Sequence, residues 1–130
     1  MKQMNLMDKY PIQSLTIAKT ETNYTSVDEI LTALQDMIEA HPVATYIATF
    51  DHYTHTKCLA NGEINPEILD AKNIVFCFGV QLPKAEMLAV RPRSIGVAAL
   101  EDAFVLSFLD APNPQAHDFM IGWVENIKNK

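Results

Sequence analysis

Apolar side chains recur along this chain in two helical stripes and in several shorter runs. Val27, Ile30, Leu31, Leu34, Met37 and Ile38 follow the three-and-four spacing of one helix face, with Asp36 and Glu39 on the other. Ser26-Val27-Asp28-Glu29 heads this stripe as a capping box, in which the serine oxygen accepts from the N3 amide and Glu29 reaches back to the cap amide. Asp28 and Glu29 also sit at the positive end of the helix dipole, and Pro42 prevents the helix from running on. A second stripe, Ala116, Phe119, Met120, Trp123, Val124 and Ile127, follows Asn113-Pro114 and predicts a last helix. Lys128 and Lys130 complement its C-terminal end, and Gly122 weakens it slightly.

The remaining pattern predicts strands and short turns. Leu15 and Ile17 alternate with Ser14 and Thr16. Val43 to Phe50 is apolar or small on both faces, and its first part, to Ile47, reads as a buried strand. Ile74 to Phe78 is apolar throughout and reads as a central strand ended by Gly79. Residues 94–100 and 103–109 flank Glu101-Asp102 as a hairpin, although that turn lacks the usual glycine. Asn65-Pro66 predicts a cap and one or two helical turns over 67–71, and Pro83 another short helix through Leu88. Residues 1–10 read as a loose N-terminal arm closed off by Pro11.

This order predicts a single α+β domain over residues 1–130. It is a two-layer sandwich: one mixed, mainly antiparallel sheet of about five strands, with two main helices on one face. Strands 43–50, 73–78 and 103–109 are apolar on both faces, and two helices cover only one. An uncovered apolar face marks an interface or a ligand groove, so a homodimer is expected. The plainer alternative has the short helices and the N-terminal arm covering the second face.

Composition narrows the function classes. The 130 residues are 48% hydrophobic and 20% charged, which is a globular balance. A net charge of −6 argues against nucleic acid and anionic membranes, because phosphate contacts need a basic face. No run reaches transmembrane length and no secretory leader is read, so a cytoplasmic protein with Cys58 and Cys77 as free thiols is expected. No phosphate loop, dinucleotide glycine motif or serine-nucleophile elbow occurs, and no cofactor is predicted.

Chemistry-bearing residues concentrate in Phe50-Asp51-His52-Tyr53-Thr54-His55-Thr56-Lys57-Cys58, just after a strand. A strand end is where polar groups leave the core to meet a ligand. His52, His55 and Cys58 are spaced three apart, which on a helix suits zinc, or a haem-associated protein, with Asp51 orienting an imidazole. The second ligand cluster of a strong zinc signal is absent, and only Cys77 or His117 could complete one. Asp51 with His52 could instead transfer protons, or Asp51 could simply cap the following turn. Cys58 beside Lys57 has a thiol chemist's neighbour but no nucleophile signature, whereas Cys77 reads as a small buried hydrophobe. Arg91-Pro92-Arg93 is the one concentrated positive charge, and paired arginines bind carboxylate or phosphate well. The competing reading pairs them internally with Asp51, Glu86 or Asp102.

Several of these pieces, in order, resemble the domain-of-unknown-function 302 family. They are Ser26 to Ala40, Ile47-Ala48-Thr49-Phe50-Asp51-His52, Ile74-Val75-Phe76-Cys77-Phe78-Gly79, and Ile95 to Pro112. The chain departs from that pattern at Val80-Gln81-Leu82-Pro83 and at Arg91-Pro92-Arg93. The resemblance implies a small bacterial α+β domain, often dimeric, without an established activity, and a specific role for His52. The expectation that follows is a dimeric module binding an anionic or polar ligand through Asp51, His52, Tyr53, Arg91 and Arg93. An enzyme using the Asp/His pair or a thiol, or a zinc or haem protein, is the alternative.

Overall fold

The capping box forms a helix where the sequence places it. In a computed structural model, which describes all 130 residues, α1 spans Val27–Ala40 with Ser26 as its cap. Ser26 Oγ accepts from the Glu29 amide at 3.1 Å. The Glu29 carboxylate reaches one residue further back than expected, accepting from the Thr25 amide and hydroxyl at 2.9 Å each. Val27, Ile30, Leu31, Leu34 and Ile38 are buried on the sheet, as their spacing predicts.

The strands are β1 (Lys2–Leu6), β2 (Tyr10–Ala18), β3 (Thr45–Phe50), β4 (Asp70–Cys77), β5 (Arg93–Ala99) and β6 (Ala103–Leu109). They form one six-stranded sheet in the order β1-β2-β6-β5-β4-β3. Every neighbouring pair is antiparallel, so the sheet is not mixed. The remaining helices are α2 (His52–Lys57) and α3 (Pro114–Glu125). The architecture is α+β, an open antiparallel sheet with its helices on one side.

The extra strand comes from residues expected to be a loose arm. Lys2 to Leu6 pair with Ser14 to Tyr10 as a hairpin edge. The turn takes Met7 and Asp8 to φ 55° and 58°, a left-handed conformation that Asp tolerates better than Met. The strand is short and exposed on both faces, with only Met4 and Leu6 apolar, which is why its pattern does not announce it.

β3, expected to be buried, is the opposite edge of the sheet and is mostly exposed. A register shift between Tyr46 and Ala48 makes a bulge at Ile47. Of the one or two helical turns expected after Asn65-Pro66, one hydrogen-bonded turn forms and no helix follows it. Asn65 caps a single turn, accepting from the Glu67 amide through its side chain and from Ile68 through its carbonyl. The Leu69 amide then donates to Ala99 O at 2.8 Å, so the sheet ladder captures the chain before a second turn. Pro83 is followed by a 3₁₀ segment over Ala85–Val90. The Glu101-Asp102 hairpin forms as expected, closed by Leu100 N donating to Ala103 O.

The core lies between the sheet and helices α1 and α3, around Ile74, Phe76, Ile95, Val97, Phe104, Leu106, Met120 and Trp123. Strand pleating turns Ser94, Gly96, Ala98, Val105 and Ser107 to the other face, and none of these is buried. No helix is long and apolar enough to cross a membrane.

Candidate functional site

Antiparallel pairing brings the end of β4, the start of β5 and the end of β6 to one end of the sheet. The C-terminus of α1 and the N-terminus of α3 meet there. They enclose a groove of about 590 Å³ whose lining includes His41, Phe78, Arg91, Arg93, Asn113 and Phe119, and no Asp or Glu.

Arg93 is the first residue of β5, opposite Phe76 in the ladder. It is on the helix-covered side of the sheet, so its side chain is drawn inward, and only 8% of the residue is exposed. Nη2 donates to the Leu109 carbonyl of β6. Nε is buried and donates to nothing. Burial pulls the Arg93 pKa below its ordinary value, and nearby Asp110 partly offsets this. An arginine stays protonated regardless, so the site holds a buried cation with an unused donor. The Asp110 carboxylate also accepts from Gln13 Nε2 at 3.1 Å.

Arg91 lines the same groove, two residues earlier across a cis Arg91–Pro92 peptide. Its Nη1 donates to the Gln81 carbonyl. Neither arginine is in an ion pair, so the internal pairing with Asp51, Glu86 or Asp102 does not occur.

The imidazole of this groove is His41, which sequence reasoning did not single out. It follows α1 as its C-cap and precedes Pro42. His41 Nδ1 accepts from the Val43 and Ala44 amides at 3.1 Å each, which places the ring hydrogen on Nε2. The ring lies edge-on to Phe119 at 4.4 Å and to Phe78 at 5.4 Å. The signal available was a His-Pro pair closing a helical stripe. Asn113 caps α3 through Gln115 N and Ala116 N at 2.9 and 3.1 Å, which sets a positive helix end against the groove.

His52 and Tyr53 do not join the arginines. β3 reaches Phe50 opposite Asn73, while Arg93 lies opposite Phe76 three residues further along β4. His52 follows beyond Phe50, towards the other end of the sheet. Asp51 caps α2 there, accepting from the Thr54 amide at 3.0 Å and the Thr54 hydroxyl at 2.9 Å. Those bonds, with the charge of Lys72, hold its carboxyl below the usual range. His52 Nδ1 pairs with Thr56 Oγ1 at 3.0 Å and makes no bond to Asp51. The Lys57 ammonium sits over the Tyr53 ring at 5.6 Å.

The His52 and His55 rings are 6.4 Å apart, each against Phe50. No group of three His, Cys, Asp or Glu side chains is placed to hold a metal ion. Cys58 is an exposed free thiol, and Cys77 is a half-buried free thiol on the groove wall rather than fully enclosed.

A family model described as a family of unknown function, DUF6858, matches residues 1–129. No curated protein and no solved structure matches the chain. The expected membership of a family of unknown function therefore holds, while the match does not support the 302 family in particular.

Proposed function

The chain belongs to the DUF6858 family, and we propose that it is a single-domain binding module whose groove at Arg91, Arg93 and His41 takes a small anionic ligand. One observation carries this reading. Arg93, 8% exposed and with its Nε buried and unbonded, lines a groove without a carboxylate in a chain of net charge −6. A buried donor left unsatisfied costs about 1–3 kcal/mol, more when the group is charged, and an anion supplies the missing acceptor. His41 Nε2–H and the capped end of α3 add donors and positive potential on the same side. The test is the thermal midpoint of the protein in chloride, acetate and phosphate buffers. Stabilisation by acetate or phosphate over chloride that is lost in Arg91→Gln is expected; no anion effect in either protein overturns the reading.

The same reading places the protein in the cytoplasm, where Cys58 and Cys77 stay reduced, and assigns a second copy to the open sheet face. The small residues Ser94, Gly96 and Ala98 at its centre let another sheet approach at the usual ~10 Å spacing. Light scattering at micromolar concentration should give twice the chain mass; a monomer there removes the dimer and leaves the anion site standing.

A further inference from the structure

We propose that the ligand is an amphipathic monocarboxylate, its head on Arg93 and Arg91 and its apolar body between an aromatic wall and the Gly79–Pro92 strap. This rests on the anion-site reading above and narrows it to one chemical class.

The head follows from the donors left over. Arg93 keeps its Nε hydrogen free while Nη2 is held by Leu109 O, and Arg91 has Nη1 held by Gln81 O. The planar fork of a guanidinium matches a carboxylate. No lysine or glycine-rich phosphate cradle lines the groove, and a chain of net charge −6 repels a polyanion.

The body follows from what the rest of the groove presents. Phe78 and Phe119 lie 6.2 Å apart at an angle of 27°, with the His41 ring edge-on to both. Phe119 is 45% exposed although it belongs to the apolar stripe of α3. The strap contributes Val80, Pro83, Met87 and Val90 to the lining. Val80 is 73% exposed, a large apolar residue left in water in the groove that Arg91 and Arg93 also line. An inorganic ion would occupy little of a groove of about 590 Å³ and leave these surfaces wet. A carboxylate with a hydrocarbon or aromatic tail satisfies both ends at once.

Calorimetric titration of the full chain with acetate, hexanoate and decanoate, each below its micelle concentration, tests the class. Decanol, decyl phosphate and inorganic phosphate serve as comparisons. Affinity is expected to rise with acid length by about two- to fourfold per methylene over the short members, with decanol and inorganic phosphate at least tenfold weaker than decanoate. Phe119→Ala, at a half-exposed position, should flatten the length dependence, and Arg91→Gln should weaken every acid. Equal binding of acetate, phosphate and decanoate overturns the amphipathic class and leaves the anion site intact. Decyl phosphate binding at least as tightly as decanoate overturns the carboxylate head alone. Decanol matching decanoate, or no binding by any anion, overturns both readings.

Discussion

The rings of Phe78 and Trp123 lie 5.5 Å apart and within 7° of parallel, joining the chain just beyond β4 to the last turn of α3. Trp123 is the sole tryptophan, and Phe78 lines the groove. Intrinsic fluorescence therefore reports on the groove wall. Filling the groove should change Trp123 emission in the native protein, and Phe78→Leu should reduce that change. Saturating ligand, established by calorimetry, with no spectral response would contradict this coupling.

Core and groove aromatics should separate by stability. Phe76 is fully buried between the sheet and α3, so Phe76→Ala should cost about 3–5 kcal/mol in urea denaturation. Phe119→Ala should cost under about 1.5 kcal/mol, because its ring already meets solvent. Similar losses for both would mean that Phe119 is a core residue and the groove wall is misassigned.

Ser26→Ala removes the acceptor for the Glu29 amide at the head of α1. A loss of about 0.5–2 kcal/mol is expected in the same denaturation assay. Ser26→Asp should retain most of the stability, since its carboxylate both accepts that bond and favours the positive helix end.

The acid limb has a defined direction. Glu29 is lowered from 4.5 by Thr25, Glu21 from 4.5 by the Ala18 amide and Lys128, and Asp51 from 3.8 by Thr54. Each contributes stability above its unfolded value that is lost as pH falls through the lower folded value. The thermal midpoint should therefore decline below about pH 4.5, and Thr54→Val should make the decline shallower at its lowest end. Lys72 behaves oppositely. Asp28 raises it above 10.5, so its contribution is complete below that pH and fades only above it.

Gly79 takes φ +54° where the strap leaves β4, and a Cβ there would stand 3.2 Å from Cys77 Sγ. Gly79→Ala should cost about 1–2 kcal/mol. It should also weaken acid binding, because the strap carries Gln81, the partner of Arg91. A variant with reduced stability and unchanged affinity would show that the strap's path does not shape the site.

Local signals located what local physics decides. The cap and stripe of α1, the Asn113-Pro114 start of α3 and the acidic hairpin turn are all written within a few residues, and all formed. Edge and centre are different, because they depend on which strands meet. Val43 to Phe50 has the composition of a buried strand yet forms an edge, and Lys2 to Leu6 has the composition of a tail yet pairs with β2. The site divides in the same way. Arg91 and Arg93 stood out as concentrated charge, and both line the groove. His52 was grouped with them through its chemistry, but pairing register carries it towards the other end of the sheet. His41 was missed because one imidazole before a proline gains meaning only when α1 and α3 bring Phe78 and Phe119 around it. Asp51, weighed as a proton-transfer partner, performs the capping role that was its alternative.

An open sheet of this kind exposes two rows of unpaired amides, and the one along β3 also displays Ile47 and Phe50. A straight strand so decorated would template further strands and seed aggregation. The bulge at Ile47 breaks the regular spacing of those amides, so an incoming chain finds no continuous ladder to extend. The kink that spoils the edge is thus a safeguard for colloidal behaviour, and engineering it away would trade a tidier sheet for a stickier protein.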